Sequence, residues 1–132
     1  MPVLSLPVRM NRLMILATML LIVGCRNTGR VACPPPAASY ALRLGGRVTI
    51  SLASNPSTGY AWAWENRGRV TIIDSSGWSF HPNRPGLPGS GGCETWTFTA
   101  KTLGADSLRM VYRREWEPGS ALQTRVVGIR VH

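Results

Sequence analysis

The chain has 132 residues and a formal net charge of +9, from 15 basic against six acidic side chains. That length holds one ordinary domain, which excludes a large multidomain enzyme. All the basic residues but Lys101 are arginines, scattered with no run or helical stripe; the charge therefore reads as a solvated coat and does not mark a nucleic-acid site.

Arg9 and Arg12 precede an apolar run from Leu13 to Val23. Crossing a hydrocarbon core of roughly 30 Å takes about 20 helical residues, so this run is too short to span and fits the apolar region of an export signal. It ends in Ile22-Val23-Gly24-Cys25, which resembles the lipobox of bacterial lipoproteins. The resemblance implies that residues 1–24 are a signal peptide and that the Cys25 thiol is acylated. Several acyl chains hold a protein on a membrane firmly, where one binds only marginally. Arg26, standing where an inner-membrane lipoprotein carries Asp, favours the outer membrane of a bacterial envelope, with the domain facing the periplasm. Residues 25–38, with Pro34-Pro35-Pro36, read as a lipidated, partly extended tether. Cys33 and Cys93 then remain as an even pair that an oxidising compartment can join. One lies in the tether and the other in a mid-chain connection, so spacing alone leaves their pairing open.

From residue 39 onward the pattern is alternation, the mark of half-buried strands. Candidate strands in chain order are A at Ser39 to Leu44, B around Val48, Ile50 and Leu52, C from Tyr60 to Trp64, and D from Arg69 to Ser75. A short extra strand is expected at Trp78 to His81. Strand E follows around Trp96 and Phe98, F around Leu108, Met110 and Tyr112, and G around Val127, Ile129 and Val131. Gly and Pro clusters separate them. Seven or eight short antiparallel strands over residues 39–132 predict an all-β, immunoglobulin-like sandwich.

Strands that run alternately up and down place the BC, DE and FG connections at one end. The BC connection carries Asn55-Pro56-Ser57-Thr58-Gly59-Tyr60, in which Pro56 sets its own φ and Gly59 supplies backbone freedom, so Ser57 and Thr58 are held at the tip of a stiff projection. The DE connection, Pro82 to Gly92, is long, and unstructured connections of that length are usually functional or disordered. Its Gly89-Ser90-Gly91-Gly92 run lacks the lysine and following helix of a phosphate cradle; its exposed backbone suits pairing with another extended chain. The FG connection opens with Arg114-Glu115-Trp116, and an exposed Trp beside Arg has the composition of a binding hot spot.

Together these three segments resemble, in order and spacing, the chagasin family of cysteine-peptidase inhibitors. The family pattern is Asn-Pro-Thr-Thr-Gly-Tyr/Phe in the BC loop, Gly-x-Gly-Gly before strand E, and Arg-Pro-Trp opening the FG loop. Two positions depart from it: Ser57 keeps a hydroxyl where the pattern has Thr, whereas Glu115 replaces Pro, loosening the FG loop and adding negative charge beside Trp116. The resemblance implies reversible, competitive inhibition of papain-like cysteine peptidases, with the BC loop placing Thr58 over the catalytic cysteine and the other loops gripping the cleft rims. It implies no cofactor, no metal and a monomer whose partners are the peptidase and, through Cys25, a membrane.

The residues themselves offer little to an enzyme, because His132 is terminal and His81 precedes Pro82. His81 with Cys33 and Cys93 lacks metal-ligand spacing. A non-inhibitory envelope or adhesion module of sandwich fold is the stronger rival, and the BC loop is the feature that separates the two.

Overall fold

The computed structural model describes residues 33–132; the segment expected to be a signal peptide, residues 1–24, with Cys25 and the first part of the expected tether, lies outside the described residues. Seven strands run in order: β1 Ser39–Leu42, β2 Arg47–Ser54, β3 Ala61–Trp64, β4 Ile73–Pro82, β5 Gly92–Ala100, β6 Gly104–Arg113 and β7 Gln123–Val131. They form a four-stranded sheet, β1-β7-β6-β3, and a three-stranded sheet, β2-β5-β4.

Alternation along the strands dictates the core. On β2, Val48, Ile50 and Leu52 are buried while Arg47, Thr49 and Ala53 are exposed, because successive side chains leave a strand on opposite faces. The same period turns Trp62 and Trp64 inward from β3, Phe98 from β5, Leu108, Met110 and Tyr112 from β6, and Val127, Ile129 and Val131 from β7. These side chains make one apolar cluster between the sheets. Trp64 meets Phe98 edge to face at 5.3 Å, joining β3 of one sheet to β5 of the other. Phe98 is wholly buried, so truncating it to Ala would cost about 3–5 kcal/mol.

Three expectations need correction. Strand D does not occupy 69–75 with a separate piece at 78–81; one strand, β4, spans Ile73–Pro82. Val70 and Ile72 are buried and so carry an apolar alternation, but Arg69 and Val70 donate backbone bonds to Asn66, and the Ile72 carbonyl accepts from Lys101 and Thr102, so the segment is not laddered. The apparent break at Ser75-Ser76-Gly77 is a bulge: Ser75 opposes Phe98 and Gly77 opposes Thr97, leaving Ser76 as the extra residue. Nor is every pair antiparallel, since β1 and β7 pair in parallel, Ser39 opposite Gly128 through Leu42 opposite Val131. Strands that alternate in direction give the first and seventh the same sense, so pairing them can only be parallel. Finally, Pro82, Gly92 and Cys93 belong to strands and not to the DE connection.

Cys33 and Cys93 are joined by a disulfide, with Cα atoms 5.4 Å apart. Cys93 stands opposite Ala53 of β2 and His81 of β4, so the tether is pinned where β5 begins. Both thiols are used in that bond; His81 instead approaches Ser79, Nε2 to Oγ 3.0 Å.

Candidate functional site

The connections β2–β3, β4–β5 and β6–β7 emerge at one end, and each is shaped by its own residues. After β2 the chain makes a single 3-10 turn, Pro56–Thr58. Pro56 opens it with a preset φ and no N–H to satisfy. Gly59 closes it at φ +79°, where its N–H bonds the Pro56 carbonyl at 2.9 Å; only glycine adopts that conformation without steric cost.

Asn55 organises the turn from below. Its backbone N–H donates to the Tyr112 hydroxyl at 2.9 Å, tying the loop to β6. Its carbonyl accepts the Thr58 hydroxyl at 2.6 Å, and its side-chain oxygen accepts the Ser57 hydroxyl at 2.6 Å. Both hydroxyl protons are therefore turned back into the loop, while Ser57 and Thr58 themselves remain exposed. What projects is a short wedge whose side chains are ordered before any partner arrives.

The β4–β5 connection lies alongside. Asn55 Nδ2 donates to the Gly89 carbonyl at 3.3 Å. Within the loop, Ser90 turns its hydroxyl to the Arg84 carbonyl at 3.2 Å, and Asn83 N–H bonds the Gly91 carbonyl at 2.9 Å. Gly92 has a different task from Gly89: it opens β5, and a Cβ there would collide with the His81 carbonyl and the Phe80 ring.

Arg114 does most to bind the β6–β7 connection to the wedge. Its Nε donates to the Thr58 carbonyl at 3.2 Å, its Nη1 to Glu117 Oε2 at 3.0 Å, and its guanidinium lies 4.6 Å over the Tyr60 ring. The hydrogen bond to Glu117 holds the Arg114 pKa above the ordinary arginine value. The loop's base is closed by Ser120, whose Oγ receives the Arg114 N–H at 2.9 Å and donates to the Arg114 carbonyl at 3.0 Å. Trp116 is 72% exposed, and the edge of its indole rests on Gly59, where no side chain intervenes. Glu115 follows Arg114 in a turn closed by Glu117 N–H to Arg114 carbonyl at 3.2 Å.

The structure thus brings Asn55, Pro56, Ser57, Thr58, Gly59 and Tyr60 together with Gly89, Ser90 and Gly91 and with Arg114 and Trp116; Gly92 is drawn into the sheet. Tyr112, Glu117, Ser120 and Glu94 contribute without having been singled out from sequence. Glu94 is 1% exposed at an inward β5 position, and the signal was present: counting back by two from Phe98 and Trp96 puts a carboxylate on the core face. No group of three His, Cys, Asp or Glu among the described residues could hold a metal ion.

Comparison with known proteins agrees with this arrangement. Residues 41–131 match the family described as Chagasin family peptidase inhibitor I42. Chagasin of Trypanosoma cruzi is 31% identical over 86 residues, covering 60% of this chain and 74% of that protein. Among solved structures, Amebosin superposes with a TM-score of 0.58 at 26% identity, covering 71% of this chain and 88% of its own. The cysteine protease inhibitor EhICP2 from Entamoeba histolytica gives 0.60 at 23% identity over 71% and 86%, a likeness of fold.

Proposed function

The chain belongs to the chagasin family of peptidase inhibitors, and from that premise we propose that it blocks papain-like cysteine peptidases reversibly and competitively by seating its three adjoining loops in the active-site cleft. The observation that carries this reading is the bridge across the loops: Arg114 holds the Thr58 carbonyl while Trp116 rests on Gly59. Wedge and flank are one preassembled surface, so little conformational entropy remains to be lost on binding. In that role Thr58 and its neighbours face the catalytic cysteine, and Trp116 packs on the cleft rim as an aromatic anchor. The β4–β5 loop, joined to the wedge through Gly89, contributes backbone hydrogen bonds to the opposite rim. A wedge that offers no scissile bond in attack geometry occupies the cleft without being cut.

The two-sheet arrangement with β1 beside β7 supports an immunoglobulin-like sandwich as the scaffold. The protein acts as an inhibitor and not as an enzyme, one copy to one peptidase. The lipobox-like segment supports acylation at Cys25 and anchorage in a bacterial envelope, at the outer membrane.

Titrating the full chain, purified in detergent, against several papain-like enzymes tests the reading. Competitive inhibition of these, with serine and metallopeptidases unaffected, is the expected result. No inhibition at micromolar concentration would overturn it in favour of a non-inhibitory binding module.

A further inference from the structure

Glu94 is buried without an ion pair among the described residues, yet its carboxylate accepts four hydrogen bonds divided between its two oxygens. Oε1 receives the Ser54 hydroxyl at 2.6 Å and the Trp62 backbone N–H at 3.3 Å. Oε2 receives the indole N–H groups of Trp78 at 3.2 Å and Trp96 at 3.4 Å. The division matters because of where the donors sit. Ser54 is the last residue of β2, and Trp62 is the second of β3; they are the two stems of the wedge.

Those stems belong to different sheets, β2 to the three-stranded and β3 to the four-stranded one. No backbone ladder therefore fixes how far apart the loop's ends stand as they leave the sandwich. Side chains do that instead: Oε1 of Glu94 holds both stems at once, and the Trp62 indole adds a bond to the Ala53 carbonyl at 2.9 Å. A buried carboxylate is costly to desolvate, and a well-packed apolar side chain in such a place is often as stable or more so. Stability alone is therefore a poor account of a carboxylate here, whereas a bridge between two unladdered strands needs an acceptor that can take two donors at once.

We propose that Glu94 is a positioning residue for inhibition, setting the spacing of the wedge stems through Oε1 while Oε2 holds the indoles of Trp78 on β4 and Trp96 on β5. This rests on the inhibitory reading above. Two variants separate the oxygens: Ser54→Ala removes one donor from Oε1, and Trp78→Phe removes one from Oε2, each leaving Glu94 with three partners. In the full chain titrated against papain, S54A is expected to weaken inhibition about 10-fold and W78F less than about twofold. Amide hydrogen exchange across residues 55–62 should accelerate in S54A and not in W78F, a readout that a general loss of stability would not divide this way. Should S54A not fold, E94Q, in which one acceptor oxygen becomes a donor, takes its place and is expected to weaken inhibition at least as much. Equal effects of the variants on inhibition and on loop exchange, or no effect of either, would overturn the positioning role. A wild-type chain that inhibits no papain-like enzyme would overturn the inhibitory reading itself.

Discussion

Replacing Gly59 with alanine tests whether the wedge and the β6–β7 loop act as one surface. Gly59 lies at φ +79°, a left-handed conformation that costs an L side chain roughly 1–2 kcal/mol. A Cβ there would stand 2.6 Å from Cη2 and 2.9 Å from Cζ2 of Trp116, well inside the roughly 3.5–4.0 Å of a comfortable carbon contact. The wedge is held by its own hydrogen bonds, whereas Trp116 is largely solvated, so the indole is the part that gives way, by about 1 Å. Fold stability should fall by only the backbone cost, about 1–2 kcal/mol. Affinity should fall further, because an aromatic anchor driven from its seat forfeits about 2 kcal/mol, or roughly 30-fold in inhibition constant. The assay is competitive titration of papain by wild type, G59A, W116A and the double variant, with urea midpoints measured on each. In the W116A background the Gly59 substitution should cost less than about threefold, since there is no indole left to displace. Equal losses in both backgrounds would refute the reasoning: the substitution would then be acting on the wedge alone.

Three further outcomes follow from the same geometry. Thr58→Ala removes an exposed hydroxyl bonded to Asn55; inhibition should drop by at least about 10-fold while the unfolding free energy from urea denaturation changes by less than about 0.5 kcal/mol. Glu115→Pro places proline second in the turn that Glu117 N–H closes on Arg114, a position that favours it, and should stabilise the fold by about 0.4–1 kcal/mol and tighten inhibition. Replacing Cys33 and Cys93 together by serine opens a cross-link spanning 60 residues and should cost about 2 kcal/mol in urea unfolding, less than the full loop-closure value because the tether also regains freedom in the native state. Inhibition should be unchanged within about twofold, checked by the same titration with no added reductant beyond that needed to activate the peptidase.

The sandwich was legible because strand alternation reports burial directly: Val48, Ile50 and Leu52 declare the inner face of β2, and Trp62 and Trp64 that of β3. It misled at β4, where Val70 and Ile72 are buried from a turn and Ser76 shifts the register, so burial and strand period part company. The three loops were legible for a different reason. Glycine and proline mark where a backbone bends, and the bends at Pro56, Gly59 and Gly89 lie where those residues are. What a linear reading could not supply is reach. That Arg114 meets Thr58 and Tyr60, that Trp116 lies on Gly59, and that one carboxylate serves Ser54, Trp62, Trp78 and Trp96 depends on which strands the fold sets side by side. The Cys33–Cys93 pairing belongs here too, for Cys93 was placed in a connection and stands instead on β5.

Because β1 runs parallel to β7 it already starts from the end that carries the loops; the cross-link fixes how close to them the chain enters. Without it the chain would enter at Ser39, partway along β7; with it, the chain enters beside the wedge, next to Gly92 and opposite Ala53. The step from Cys25 to Cys33 can extend at most about 28 Å. An acyl anchor at Cys25 would therefore moor the domain by the end that carries its loops, like a boat tied at the bow. The peptidases it meets would be those moving along the bilayer surface, with the opposite end of the sandwich turned to open solvent.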